Sequence, residues 1–262
     1  MDREPLRVAI EAALEAGEIL RAGRGRDKEV RAKGHPRDAV TVFDRRAEEA
    51  IVRVLRSAFP QDGVLAEEGT TAPSQSRATW VIDPIDGTLN FVRELPHSAV
   101  SIARVKEGQG EVACIHDPWR NELFTAQAGE GARLDGAPIQ VSDRADLDGA
   151  LVAVGYSSRP ESAVLLHAPV QRLLALGSGV RTSGSAVLDL AYVACGRLDG
   201  AVYLALHAWD VAAGTLLVTE AGGRVSDFDG RPSADPERGV VGTNGPLHGK
   251  LLAAMHMDGR DT

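Results

Sequence analysis

The sequence predicts a mixed α+β and α/β fold, because the period of its hydrophobic residues changes along the chain. Up to about residue 60 apolar residues recur at helical spacing, and after residue 78 they alternate with a period of two. From about residue 151 strand-like and helix-like runs alternate. No long linker or internal repeat separates these regions. We therefore expect two closely packed subdomains, an α+β one at residues 1–145 and an α/β one at residues 146–262.

The first region is expected to form two packed helices, the second of which stops before Pro60. The connection between them, residues 24–37, is basic and punctuated by glycine, which is typical of an exposed loop with solvated charges. The apolar positions at helical spacing are Leu6, Ile10, Ala13, Leu14 and Leu20, and then Ala47, Ile51, Val54, Leu55 and Ala58.

Short apolar runs follow, separated by turn residues, and predict an antiparallel meander: TWVID, SAVSIARV, GEVACIHD and NELFTAQ. The second half reads as strand ALVAVGY, a helix from Leu165 to Leu174, helix SAVLDLAYVACG, strand GAVYLAL, helix DVAAGTLLVTEAGG, strands GRVSDF and GVVGT, and helix PLHGKLLAAMH. Gly222 and Gly223 stand where a helix C-terminal cap is expected.

Composition excludes several classes of function. With 37 acidic against 29 basic residues the net charge is −8. The chain as a whole therefore lacks the excess positive charge that favours binding to nucleic acid or anionic lipid. No apolar run reaches membrane-spanning length, and the charged N-terminus reads as an amphipathic helix and not as a signal peptide. We therefore expect a cytoplasmic protein with no nucleic-acid or membrane partner.

The stretch WVIDPIDGTLNF, Trp80 to Phe91, places two aspartates where an apolar run ends. Pro84 keeps Asp83 out of helical geometry and Gly87 permits a tight turn, so Asp83 and Asp86 are expected to converge on one point. Taken alone, the pattern also fits a turn residue at Asp86 and a solvated Asp83.

Acids follow apolar sequence at two other places: Glu67 and Glu68 after GVLA, and Asp210 at the start of a predicted helix. Buried carboxylates need protons or metal ions to offset their charge. Oxygen ligands without a histidine or cysteine cluster favour Mg²⁺ over zinc. Backbone amides at Gly87 and Thr88 are suitably placed to hold phosphate oxygens, so the chemistry points to a phosphoryl group.

These residues resemble the inositol monophosphatase family of lithium-sensitive, Mg²⁺-dependent phosphatases. WVIDPIDGTLNF followed by LPHSAVSIA is similar to its first signature, and WDVAAGTLLVTEAGGRV to its second. LAEEG, HDPWRNELFTAQAGEGARLDG and RTSGSAVLDLAYVACGRLDGAV occur in family order, so the resemblance covers nearly the whole chain. It implies an αβαβα layered sandwich.

The resemblance also implies residue roles. Glu67, Asp83 and the Ile85 carbonyl would hold a first Mg²⁺, and Asp83, Asp86 and Asp210 a second. A third, weaker Mg²⁺ is expected on Glu67, so that each site takes two to three ions. The attacking water would be activated by Thr88 and Asp44, and phosphate would meet Asp86 and the amides of Gly87 and Thr88. The leaving group would meet Ser185 and Ala186 of the family's Gly-Ser-Ala segment.

Each role has a structural alternative. Composition alone favours Asp44 as the N-cap of the following helix or as the acidic partner of Thr41 in a capping box. Asp210 is equally favoured by the helix dipole, and Thr88 and Ser185 are suitable N-cap residues.

The substrate is less sharply indicated than the chemistry. Inositol-specific relatives commonly carry a glutamate where this sequence has Tyr203, so a phenol would meet the sugar hydroxyls instead of a carboxylate. Residues 24–37 match a region that often forms a flap over the site, where a second phosphate of a bisphosphate substrate would meet basic residues.

We therefore expect a Mg²⁺-dependent phosphomonoesterase that hydrolyses a small polyol or sugar phosphate similar to inositol 1-phosphate, by in-line attack of metal-activated water. The alternatives within the family are a fructose-1,6-bisphosphatase, a histidinol-phosphatase or a 3′-phosphoadenosine 5′-phosphate phosphatase. A catalytically silent binding protein is the alternative from another class. Family habit implies a homodimer and inhibition by lithium.

Overall fold

The computed structural model describes residues 4–32, 39–156, 160–232 and 236–256. Residues 33–37 of the basic connection lie outside this part of the chain. The described helices are α1 (Glu4–Gly23), α2 (Val42–Ala58), α3 (Thr88–Val92), α4 (Pro160–Ala175), α5 (Ala186–Ala194), α6 (Ala208–Glu220) and α7 (His248–Met255), with a 3₁₀ turn at Pro236–Arg238.

The described strands are β1 (Arg31–Ala32), β2 (Ala39–Val40), β3 (Gly63–Ala66), β4 (Thr71–Ala72), β5 (Ala78–Asp86), β6 (Ala99–Lys106), β7 (Gln109–Asp117), β8 (Glu122–Gln127), β9 (Ala132–Leu134), β10 (Ala137–Pro138), β11 (Leu151–Tyr156), β12 (Gly179–Arg181), β13 (Gly200–Leu204), β14 (Arg224–Ser226) and β15 (Val240–Thr243).

Two large sheets organise the fold. The first has the order β10-β9-β8-β7-β6-β5-β3-β4 and contains the antiparallel meander that the sequence predicts. Its β3 and β5 are parallel. The second has the order β12-β11-β13-β15-β14, in which β11 runs parallel to β12 and β13 while β15 is antiparallel to both of its neighbours. A small antiparallel pair joins β1 and β2.

Five layers result, because helices cover both faces of each large sheet. Helices α1 and α2 pack on the outer face of the eight-stranded sheet, where Trp80 and Ile82 are buried. Helices α5 and α6 lie between the sheets, in a core to which both contribute. Helices α4 and α7 cover the outer face of the five-stranded sheet. The architecture is therefore the αβαβα sandwich that the resemblance implies, while the subdomain boundary at residue 145 stays a prediction.

Helix ends follow the expected local rules. Gly222 has a positive φ of 87°, its amide donates to the Thr219 carbonyl and the Gly223 amide donates to the Val218 carbonyl. This pair of bonds is the Schellman arrangement that closes α6, and a glycine is favoured at the left-handed position because it has no Cβ.

Candidate active site

A β-bulge brings Asp83 and Asp86 to the same side of β5. Asp83 pairs with Ser101 and Asp86 with Ala99, so β5 has one residue more than β6 between these pairs. Residues three apart in a regular strand point to opposite faces, and one extra residue reverses that relation. The two carboxylates therefore converge, as the sequence predicts for the DPID segment.

Asp210 completes the cluster from another layer. It lies in the first turn of α6, where its Oδ2 accepts a 2.7 Å hydrogen bond from the His207 amide. Each of Asp83, Asp86 and Asp210 offers a carboxylate oxygen, and these atoms all lie within 4.8 Å of one another. Helix capping thus fixes the side chain that closes the cluster.

The cluster is electrostatically costly without a cation. Asp83 is only 1% exposed, and burial together with the charges of Glu67, Asp86 and Asp210 raises the pKa of Asp83 well above its ordinary value. Burial also raises the pKa of Asp86 to about 7, although hydrogen bonds from Ser185 and Val187 oppose this. Converging oxygen ligands of this kind fit a hard divalent cation such as Mg²⁺.

Glu67 lies beside this cluster. It follows β3, the parallel neighbour of β5, and its amide donates to the Ile82 carbonyl at 3.1 Å. Its charge contributes to the raised pKa values of Asp44, Asp83 and Asp86. The predicted first metal site therefore has its two acids at adjacent strand ends.

Glu48 holds the segment that carries Glu67. Its carboxylate on α2 accepts hydrogen bonds from the Glu68 amide at 2.7 Å, the Thr70 amide at 3.1 Å and the Thr70 hydroxyl at 2.6 Å. Sequence reasoning did not find this residue. The available signal was a glutamate within the apolar stripe of α2, next to Ala47 and Ile51.

Asp44 and Thr88 are in contact, as the resemblance implies. The Thr88 hydroxyl lies 3.2 Å from Asp44 Oδ1 and 3.0 Å from the Ile85 carbonyl oxygen. Burial raises the pKa of Asp44 to about 6. Asp44 Oδ2 also accepts from the Thr41 amide, so the capping-box alternative is confirmed and coexists with the contact to Thr88.

Gly87 makes the turn from β5 into α3 with a φ of +82°. A Cβ at this position would stand 3.0 Å from the His97 carbonyl oxygen and 3.2 Å from that of Gly184. The turn that would present the Gly87 and Thr88 amides to phosphate is thus packed directly against the segment before α5.

The predicted leaving-group residues lie near one another, since the Tyr203 hydroxyl is 3.4 Å from the Ser185 carbonyl oxygen. Ser185 is the N-cap of α5, donates to Asp86 Oδ2 and accepts from the Leu188 amide, and Ala186 is the first helical residue. Tyr203 is only 4% exposed, within the core between the sheets, and its hydroxyl donates to Asp189. The observed partner of Tyr203 is therefore a buried acid, and a direct contact with substrate remains a prediction.

Asp189 is a further residue that sequence reasoning missed. It is buried at 2% exposure, and its Oδ2 accepts from the Ser183 hydroxyl at 2.6 Å as well as from Tyr203. The signal in the sequence was a lone acid in the otherwise apolar helix AVLDLAYVA, since such a group needs buried hydrogen-bond donors.

Known proteins resemble this chain over nearly its whole length. The model of the inositol monophosphatase family matches residues 1–259. The chain belongs to the inositol monophosphatase family. Its relatives include an inositol-1-monophosphatase of Synechocystis sp., 38% identical over 260 residues that cover 95% of this chain and 88% of the relative.

Other relatives of the present chain carry a different name. The protein named Nus factor SuhB in Escherichia coli strain K12 is 42% identical over 254 residues, which cover 95% of each chain. The crystal structure of extragenic suppressor protein suhB from Bartonella henselae matches with a TM-score of 0.91 and 37% identity, over 97% of this chain and 98% of that one. The fold is therefore shared by relatives with different names.

Proposed function

We propose that this protein is a Mg²⁺-dependent phosphomonoesterase that acts on a small polyol or sugar phosphate. The observation that carries the proposal is the convergence of Asp83, Asp86 and Asp210 within 4.8 Å, beside the contact between Thr88 and Asp44. Membership of the family supports the same reaction class.

The family resemblance supports two Mg²⁺ positions. Glu67, Asp83 and the Ile85 carbonyl would hold the first ion, and Asp83, Asp86 and Asp210 the second, so Asp83 would bridge them. A third, weaker ion would bind at Glu67. When bound, Mg²⁺ lowers the pKa of a coordinated water and stabilises negative charge on the phosphoryl and leaving oxygens.

Protein groups would orient the attacking water. When the Thr88 hydroxyl donates its proton to Asp44, its lone pairs are left to accept a hydrogen bond from that water. The ionised Asp44 carboxylate and the Ile85 carbonyl oxygen, 3.0 Å away, can only accept, so the Thr88 proton is directed toward these two oxygens. The amides of Gly87 and Thr88 would hold phosphate oxygens, which aligns the scissile bond for in-line displacement.

The test is a substrate panel with Mg²⁺ titration. We expect inositol 1-phosphate or a similar monophosphate to be hydrolysed only with Mg²⁺, and micromolar to millimolar KM values are typical of enzymes. Preference for fructose 1,6-bisphosphate, histidinol phosphate or 3′-phosphoadenosine 5′-phosphate would move the protein to one of the alternative phosphatases. No Mg²⁺-dependent hydrolysis across the panel would contradict the proposal.

A binding role without turnover is the second candidate. It is favoured by relatives that are 42% identical and bear the name Nus factor. Against it, the predicted acids and Thr88 are all present and the three aspartates converge. Complete inactivity of a protein that nevertheless binds Mg²⁺ would favour this candidate.

We further propose, from the family resemblance, that the protein is a cytoplasmic homodimer and that millimolar lithium inhibits it. Among the described residues no helix combines the length and the hydrophobicity needed to cross a membrane. Static light scattering should give the mass of two chains, and a monomer at assay concentration would contradict the dimer. Undiminished activity in lithium would indicate an altered second metal position.

A further inference from the structure

The position of Asp86 depends on the segment that begins α5. Its Oδ2 accepts from the Ser185 hydroxyl and, at 3.1 Å, from the Val187 amide. Both donors belong to the first turn of the helix, so any displacement of that turn moves the carboxylate.

Two hydrogen bonds of Ser183 hold the start of α5 in place. The Ser183 hydroxyl accepts from the Ser185 amide at 3.2 Å and donates to Asp189 Oδ2 at 2.6 Å. The Tyr203 hydroxyl donates to the same Asp189 oxygen. Asp189 Oδ2 therefore accepts hydrogen bonds from two hydroxyls, at a position one turn further along α5 than Ser185.

This arrangement sets the direction of the Ser183 hydroxyl. A serine hydroxyl has one proton, and a competing acceptor, the Ser185 carbonyl oxygen, lies 3.4 Å away. Asp189 is closer and its acceptor is stronger when ionised, so the proton turns toward it and a lone pair stays directed at the Ser185 amide.

The same segment is tied to the phosphate turn. Asn90 on α3 donates through one amide nitrogen to the Ser183 carbonyl at 2.9 Å and to the His97 carbonyl at 2.7 Å. The Gly184 carbonyl packs against Gly87. Ser183 thus contacts buried Asp189 on one side, and Ser185 and Asn90 on the other.

We propose that Asp189, Ser183 and Tyr203 form a positioning relay for Asp86, acting through Ser185. None of the three is among the predicted metal ligands. The inference rests on the proposed function only for its effect on turnover, because its effect on Mg²⁺ binding is measurable separately. It also gives Tyr203 a role through Asp189 in place of direct contact with substrate.

The experiment compares Ser183→Ala with wild type and with Ser142→Ala. Ser142 is a matched control because its hydroxyl also donates to an aspartate, Asp199, at 2.6 Å, but in contacts that do not include the predicted metal ligands. We expect Ser183→Ala to weaken Mg²⁺ binding, measured by calorimetry, about 10- to 100-fold, as outer-shell substitutions do. Ser142→Ala should bind Mg²⁺ with the wild-type affinity, and its melting temperature should be comparable to that of Ser183→Ala.

Two further variants separate positioning from folding. Ser183→Thr keeps the hydroxyl and should restore Mg²⁺ affinity close to the wild-type value. Tyr203→Phe removes one donor to Asp189 but leaves the Ser183 contact, so its effect should be smaller than that of Ser183→Ala. In Ser183→Ala we expect kcat at limiting Mg²⁺ to fall more than KM for substrate rises.

Three results would overturn the relay. They are equal Mg²⁺ affinity in Ser183→Ala and Ser142→Ala, failure of Ser183→Thr to restore it, and absence of Mg²⁺ binding by the wild-type protein. If wild type binds Mg²⁺ but hydrolyses nothing in the substrate panel, the proposed function fails while the calorimetric comparison still decides the relay.

Discussion

At the scale of single residues, Asp83 shows how function and stability oppose each other. Its carboxylate is buried among the charges of Glu67, Asp86 and Asp210, each of which raises its pKa. Without a cation this carboxylate disfavours the folded state, since burial and repulsion both penalise its ionised form. A bound cation would offset this repulsion, because the same carboxylates would serve as its ligands.

We predict that Asp83→Asn lowers kcat/KM about 10²- to 10³-fold, because it removes the carboxylate proposed to bind both Mg²⁺ ions. The same substitution should raise the melting temperature of the metal-free protein, because it removes one of the repelling carboxylates. Initial rates and thermal unfolding in EDTA measure the two effects. Asp229→Asn, at an exposed position, is the matched control, and near wild-type turnover in Asp83→Asn would refute the two-metal arrangement.

At the scale of elements, the site depends on how strand ends and helix starts meet. The bulge in β5 turns two aspartates to one side, and the first turns of α5 and α6 supply Ser185 and Asp210. Helix α2 contributes twice, through Asp44 to Thr88 and through Glu48 to the segment after β3. Capping interactions therefore position chemically useful side chains as well as ending helices.

We predict that Glu48→Gln weakens Mg²⁺ binding about 10-fold or more. A glutamine amide would place a donor against the Glu68 or Thr70 amide, which leaves a buried donor unsatisfied at a cost of about 1–3 kcal/mol. Calorimetric Mg²⁺ titration and chemical denaturation measure these effects. Glu49→Gln, one residue along on the exposed side of α2, should change neither, and equal behaviour of the two variants would remove Glu48 from this role.

At the scale of the whole molecule, the site lies where the eight-stranded sheet meets the central helix layer. Asp83 and Asp86 belong to the sheet, and Asp210 to a helix that packs between both sheets. A cation bound to all three would join these layers, so its binding free energy adds to the stability of the fold.

We predict that this stabilisation increases with pH. Burial raises the pKa values of Asp44 to about 6 and of Asp86 to about 7, above their ordinary 3.8. Between about pH 4 and 7 the folded metal-free protein therefore holds protons that the unfolded chain has lost, and its stability falls as pH rises. Mg²⁺ favours the ionised carboxylates, so the difference in melting temperature between Mg²⁺ and EDTA should grow from pH 5.5 to 7.5.

His248 changes stability in the opposite direction over part of the same pH range. Its ring nitrogens lie 2.9 Å from the hydroxyls of Ser226 and Thr243, and burial lowers its pKa to about 4. Its contribution to stability therefore rises with pH between about 4 and 6.5. Because it is the same with and without Mg²⁺, it cancels in the difference, and a difference independent of pH would contradict the carboxylate argument.

Local chemistry was determined by the sequence itself. Pro84 and Gly87 predict that the chain changes direction here, although β5 continues through a bulge to Asp86 and turns only at Gly87. Thr41 and Asp44 predict the capping box and Gly222 the end of α6, because each depends on backbone rules within a few residues. The convergence of Asp83 and Asp86 was also predicted from the sequence, while Mg²⁺ as the bound cation stays a prediction.

Only the tertiary structure decided which distant groups meet. The strand that contains Tyr203 is buried throughout, so sequence periodicity does not show which neighbour its hydroxyl reaches. The supporting roles of Glu48 and Asp189 depend on hydrogen-bond donors from distant parts of the chain, which the sequence does not identify. The physical reason is that hydrogen-bond partners of buried polar groups are set by how layers pack, whereas turns and caps are set by the local backbone.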